Sequence, residues 1–114
     1  MVHTSVAWFA GVSVKAVEAV SAAIFSFLCC LANRQPIELE SFGKLEQTVL
    51  YAISLGGDTD TIGTMAGAIA GAFYGAESVP DHWPRVFEGG RKAEELAASL
   101  HQAMCERVKG AEMI

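Results

Sequence analysis

The stretch Gly56-Gly57-Asp58-Thr59-Asp60-Thr61-Ile62-Gly63-Thr64-Met65-Ala66-Gly67-Ala68-Ile69-Ala70-Gly71-Ala72-Phe73-Tyr74-Gly75 decides how the rest of the chain is read. Two glycines let the backbone turn sharply, and two carboxylates and two hydroxyls then crowd the start of the next segment. From Asp60 the apolar residues Ile62, Met65, Ala66, Ile69, Ala70 and Phe73 recur at helical spacing, so that segment reads as a helix ending at Tyr74. Gly63, Gly67, Gly71 and Gly75 fall at every fourth position with alanines between them, which leaves one ridge without side chains. A neighbouring backbone can approach along such a ridge, as at the centre of a tightly packed bundle. Small-residue ridges also join helices in membranes. Here the apolar run from Thr61 to Ala76 is shorter than the ~20 residues of a bilayer span and begins at two acids.

Upstream, a first helix is expected from Val14, with Val17, Ile24, Leu28 and Leu31 as its apolar stripe and Asn33 and Pro36 at its end. A second runs from near Ser41, a candidate cap, with Leu45, Val49, Ala52 and Ile53 inward, and stops at Gly56 and Gly57. Downstream, a loop holds Pro80, Asp81 and Pro84. The last helix comes after Gly89 and Gly90, places Ala93, Leu96, Ala97, Leu100 and Met104 on one face, and ends at Gly110. No run alternates as a strand would, so the fold class is all-α, a helical bundle.

The 114 residues are the size of one small domain, and 52% of them are apolar. Small domains hide only roughly 60 to 70% of their unfolded surface, so a chain this apolar can exceed what it buries alone and want a partner surface. The formal charge of −5 and the lack of a basic cluster argue against nucleic-acid binding. Lys15 and Glu18 interrupt the apolar stretch from Ser5 to Ala32, and no membrane span is expected. No basic residue precedes Lys15, so the start reads neither as a signal peptide nor as a transit peptide. Three cysteines, two of them adjacent, fit a reducing, intracellular compartment.

The chemistry concentrates at residues 56–61. Asp58, Asp60 and Thr61 offer hard oxygen ligands from a single turn, the type of donor Mg²⁺ takes in octahedral geometry at about 2.0 to 2.1 Å. The rival reading is that Asp and Thr simply cap a helix, whose positive end favours acidic residues. One Asp suffices to cap, however, and a second adds repulsion that a cation would offset. His3, His82 and His101 read as surface histidines, and Cys29 and Cys30 as core thiols without zinc spacing. Trp8, Phe9, Phe25, Phe27 and Trp83 read as core aromatics.

The stretch from Ser54 to Gly75 resembles the C-terminal signature of the ADP-ribosylglycohydrolase family. Ala22 to Leu28, Leu50 to Ile53 and the turn Val79-Pro80-Asp81-His82-Trp83 agree with it, and look most like the branch that removes ADP-ribose from serine and degrades poly(ADP-ribose). The resemblance is strongest across residues 11–102. It implies that residues 1–114 form the C-terminal portion of a longer all-helical domain that binds two Mg²⁺ ions. It further implies that Asp58 and Thr61 ligate one ion, that Asp60 bridges both, and that Asp58 and Asp60 are the catalytic carboxylates. The family's other ligands, a glutamate and a Thr-Asp-Asp run, and its glycine-rich diphosphate loop belong to the N-terminal half, absent here, so the ligand set is incomplete and little activity is expected of this chain alone.

Where the family has Gly-Asn-Gly and a substrate-touching aliphatic residue, this chain reads Gly11, Val12, Ser13, Val14, which makes Val14 a substrate-binding candidate by position only. Ser21 stands where the family commonly has proline. The partners implied are an ADP-ribosylated protein or poly(ADP-ribose), and the missing N-terminal half of the domain; the compartments implied are cytoplasm, nucleus and mitochondrial matrix. Two other readings stay open: a non-catalytic, crystallin-like structural relative, and a small helical interaction module.

Overall fold

The computed structural model describes residues 16–112, and all regular structure among them is helical. In chain order there are α1 (Ala16–Leu31), a 3-10 turn (Ile37–Leu39), α2 (Lys44–Ser54), α3 (Thr59–Tyr74), a second 3-10 turn (Ala76–Ser78), the short α4 (Trp83–Val86) and α5 (Gly90–Glu112). Val14, and the helix start expected there, lie outside the described residues. None of the described helices is long and apolar enough to cross a membrane. The chain divides into two compact units, residues 1–79 and 80–114.

In the first unit α3 packs against both α1 and α2, which also touch each other. The interface is built almost wholly from alanine: Ala19, Ala22, Ala23, Ala52 and Ala66 join Ile62 in one buried cluster, with Met65 and Ile69 at its margin. A second cluster gathers Cys30, Tyr51 and Leu55, flanked by Phe25, Cys29 and Leu39. Phe27 sets its ring edge-on to Phe73, 5.3 Å between centroids.

The apolar stripe expected to face inward on α1 faces outward instead. Val17 is 80% exposed and Leu28 52%, while Ile24 and Leu31 are also exposed, and the buried face is Ala19, Ala22, Ala23, Ser26, Phe27 and Cys30. Periodicity locates the helix but not its inner side, because α3 offers alanine and glycine to its neighbours and only a small-residue face can meet it closely. Ser26 is buried without penalty, since its hydroxyl donates to the Ala22 carbonyl at 2.8 Å.

Helix ends obey local chemistry. Asn33, with φ of 57°, closes α1: its N–H and that of Arg34 return to the carbonyls of Cys30 and Cys29, a left-handed cap that Asn tolerates. Lys44 Nζ donates to the Cys30 carbonyl at 2.7 Å, setting a cation at the negative end of α1 and tying α2 to it. Ser41 does not cap α2; Gly43 takes that place with no side-chain hydrogen bond.

The glycine ridge of α3 is met by side chains rather than by backbone, and only along its first half. A Cβ on Gly63 would lie 3.5 Å from Ile53 Cγ1 and one on Gly67 3.4 Å from Val49 Cγ2, whereas Gly71 faces open space. Phe73, the last of the apolar residues at helical spacing, is 61% exposed.

In the second unit the expected loop contains α4, with Pro84 in its first turn. α5 runs past Gly110 to Glu112, and its apolar face, including Leu96, Leu100 and Met104, is exposed.

These contacts separate two glycines of one ridge. Gly67→Leu should destabilise the chain by about 1 to 3 kcal/mol through overpacking against Val49. Gly71→Ala should stabilise it by roughly 0.5 to 1 kcal/mol through helix propensity alone. Urea unfolding monitored by circular dichroism measures both, and equal effects would contradict the one-sided ridge.

Candidate functional site

The acidic turn is shaped from both sides by buried residues. Leu55 anchors the end of α2, 8% exposed, and Ile62 is fully buried one turn into α3. Between them Gly56 and Gly57 take φ of 80° and 73°, left-handed values that a side chain would oppose. The Thr59 N–H returns to the Gly57 carbonyl at 2.9 Å, and the Ile62 N–H makes the first bond of α3 to the Asp58 carbonyl at 3.1 Å.

This leaves Asp58 half-buried and Asp60 and Thr61 exposed on one turn. Asp58 stands at the N-cap position, yet its side chain makes no capping hydrogen bond. Its carboxyl is held below the usual carboxylate range, first by the Thr61 side chain and then by the Asp60 side chain; burial opposes them, and the Thr61 N–H, whose own hydrogen bond goes to Asp60 Oδ1, adds least. Asp60 Oδ1 accepts from the Thr61 N–H at 3.2 Å, and Thr64 Oγ1 donates to the Asp60 carbonyl at 2.6 Å. The structure therefore brings together the three residues singled out from sequence, and Asp58 is ionised without serving as a cap.

Two carboxylates and a hydroxyl fit a hard divalent cation such as Mg²⁺ by donor chemistry, though they amount to half of an octahedron. Among the described residues no three His, Cys, Asp or Glu side chains gather into a metal site. Substrate candidate Val14 lies outside the described residues.

Elsewhere the thiols differ. Burial pushes the Cys30 thiol up to about 11, with Cys29 adding to the effect and Thr48 and Lys44 opposing it. Burial, and then a hydrogen bond with Cys29, raise Tyr51 as well. Cys105, by contrast, is exposed on α5, its Sγ 3.6 Å from His101 Nε2. The spacing of four that brings these two side chains together is visible in the sequence, but only when histidines are compared with cysteines rather than with one another.

Residues 3–109 match the ADP-ribosylglycohydrolase family. The chain is 49% identical over 96 residues to the ADP-ribosylhydrolase ARH3 of Mus musculus, an overlap covering 84% of this chain and 26% of that protein. With ARH3 of Homo sapiens it shares 49% over 92 residues, 81% of this chain and 25% of the relative. A shorter overlap, 43% over 35 residues, or 31% of this chain and 12% of the relative, joins it to an ADP-ribosyl-(dinitrogen reductase) glycohydrolase of Rhodospirillum rubrum. The chain thus spans about a quarter of the length of the ARH3 relatives it matches.

Two measurements test the geometry. A capping Asp replaced by Ala typically costs about 1 kcal/mol; Asp58→Ala should leave the unfolding midpoint within experimental error, and a full capping loss would show that its side chain does cap. Iodoacetamide at neutral pH should label Cys105 first and Cys30 last, and Cys30 reactivity should climb as pH rises towards about 11, where its thiolate forms. Mass mapping of the labelled peptides gives the order.

Proposed function

The chain belongs to the ADP-ribosylglycohydrolase family, and from that premise we propose that Asp58, Asp60 and Thr61 are part of the active site of a Mg²⁺-dependent ADP-ribosyl hydrolase. Its substrates are ADP-ribose linked through oxygen to serine on modified proteins, and poly(ADP-ribose). The observation that supports this reading is the turn at residues 58–61, where a carboxylate at an N-cap position makes no cap bond and stays ionised beside a second carboxylate and a hydroxyl. Three free thiols, Cys29, Cys30 and Cys105, fit a reducing compartment such as cytoplasm, nucleus or mitochondrial matrix.

In this reading Asp58 and Thr61 would hold one ion, and Asp60, the second carboxylate of the turn, would serve as a ligand to both ions of a pair. Mg²⁺, when bound, supplies Lewis-acid orientation of ribose hydroxyls and of the attacking water. The chain's own contribution is positional. Thr61 orients the Asp58 carboxylate, Thr64 fixes the Asp60 backbone, and the buried Ile62 keeps the turn from shifting.

Three protein oxygens against six coordination positions imply weak binding by this chain alone. Calorimetry should find no Mg²⁺ site tighter than about millimolar, since the ion gives up its water reluctantly. A chimera carrying this chain in place of the matching residues of mouse ARH3 should release ADP-ribose from a serine-modified peptide. In that chimera Asp60→Asn should lower turnover at least about a hundredfold, Asp58→Asn less, and Thr61→Ser less than Thr61→Ala. An active chimera indifferent to both Asn substitutions would overturn the ligand assignment, and an inactive one would favour a structural role.

A further inference from the structure

The second unit holds a pocket that shares no residue with the acidic turn. Its volume is about 550 Å³, and Asp81, Pro84, Arg85, Arg91, Glu94 and Glu95 wall it; small-molecule sites commonly enclose ~300 to 1,000 Å³. The corner between α4 and α5 builds it. Gly89 takes a left-handed φ of 72°, and a Cβ on Gly90 would fall 2.6 Å from the Pro84 carbonyl oxygen and 2.8 Å from its Cα. The first turn of α5 is therefore seated on the backbone of α4 as closely as glycine alone permits. Backbone bonds from Phe87 to Trp83 at 3.1 Å and from Gly90 to Phe87 at 3.0 Å close the corner, with the Trp83 and Phe87 rings packed 5.3 Å apart. Arg85 belongs to α4 and Arg91 to the first turn of α5, the two helices that meet at this corner, and both line the pocket.

Charges of both signs line this one open space. Among the described residues neither Arg85 nor Arg91 has an ion-pair partner, although Asp81 and Glu94 line the same pocket; Glu95 is the lining residue that is paired, with Lys92 at 3.9 Å. The walls thus present two free guanidiniums and two unpaired carboxylates. Guanidinium forks match phosphate oxygens, whereas carboxylates accept hydrogen bonds from sugar hydroxyls. A bare anion would satisfy the arginines and meet repulsion from the carboxylates, and a neutral sugar would leave the arginines unused.

We propose that this pocket binds a ribose phosphate, the phosphate on Arg85 and Arg91 and the ribose hydroxyls on Asp81 and Glu94. Its source rests on the hydrolase reading: ribose phosphate is the unit that recurs along poly(ADP-ribose), so the pocket holds a unit of the polymer other than the one being cleaved.

The test titrates the whole chain with ribose 5-phosphate, inorganic phosphate and ribose, monitoring Trp fluorescence and the side-chain NMR signals of Arg85 and Arg91. Ribose 5-phosphate should bind at least about tenfold more tightly than either of its parts, because both halves of the pocket are engaged. Arg85→Gln with Arg91→Gln should remove at least about tenfold of that affinity, and the double Lys variant, which keeps charge without the fork, should lose less. Asp81→Asn with Glu94→Gln should abolish the advantage over inorganic phosphate. All four side chains are exposed, and unchanged far-ultraviolet circular dichroism verifies the fold. Equal affinity for phosphate and ribose 5-phosphate, or undiminished binding by the double Gln variant, would overturn the proposal.

Asp58→Asn with Asp60→Asn should leave ribose 5-phosphate affinity unchanged even where Mg²⁺ binding is lost; loss of both would place the ligand on the acidic turn and overturn the pocket assignment. A poly(ADP-ribose) oligomer should bind with the same dependence on Arg85 and Arg91. Binding of ribose 5-phosphate without the oligomer would overturn the polymer as its source and make a free sugar phosphate the ligand.

Discussion

Close approach of helices through alanine is the constraint on which the first unit depends. Ala19, Ala22, Ala23, Ala52 and Ala66 are each at most 1% exposed. Burying one methyl group contributes only about 0.8 kcal/mol, whereas a valine, leucine or isoleucine contributes about 1.5 to 3 kcal/mol. The larger residues of α1 that could supply such energy, Val17, Ile24, Leu28 and Leu31, lie on the face turned away from α2 and α3. The core therefore gains from dense contact among small groups and from intrahelical hydrogen bonds, and forgoes much of the hydrophobic area that the composition provides. Selecting the small face of α1 is what lets α3 sit against two helices at once.

The seating of α3 in turn places the acidic turn. Its first buried residue, Ile62, belongs to the alanine cluster, and Leu55 at the end of α2 belongs to the cluster with Cys30 and Tyr51. Residues 56–61 bridge these two anchors, and the left-handed glycines are the means by which so short a span reverses direction. Neither anchor is polar, and no carboxylate is needed to close the turn.

Helix positions and the acidic turn are legible in the sequence because each has a local cause: glycine punctuates α2 and α3, and acids gather at a helix start. The inner face of α1 is not legible. Its stripe of Val, Ile and Leu carries the stronger periodic signal, and the deciding fact, that α3 demands small neighbours, is tertiary. For the same reason the glycine ridge foretells a close contact but not its partner, which is the side-chain edge of α2, Val49 and Ile53, along half its length. Gly90 reads as a helix boundary, while its closer role, the contact with the Pro84 backbone, depends on how α4 forms. The pocket at that corner arises from residues spread along two helices and a loop with no motif among them.

In each unit, some of the charged groups of interest are left out of the work of folding. A capping Asp would have its oxygens directed at the amides of the first helical turn, yet Asp58 makes no such bond, and the first α3 hydrogen bond is accepted by its backbone carbonyl instead. Arg85 and Arg91 have acids within the same pocket and form no ion pair with them. Surface ion pairs contribute about 0 to 1 kcal/mol, so the fold loses little by leaving them unmade. A donor or acceptor that is held in place by buried neighbours, but not consumed by them, keeps its full hydrogen-bonding and electrostatic capacity for a ligand. The acidic turn, fixed by Leu55 and Ile62, and the α4–α5 corner, fixed by Gly90 against Pro84, meet that condition with opposite chemistry: one offers oxygen anions to a cation, and the other offers guanidiniums and carboxylates together.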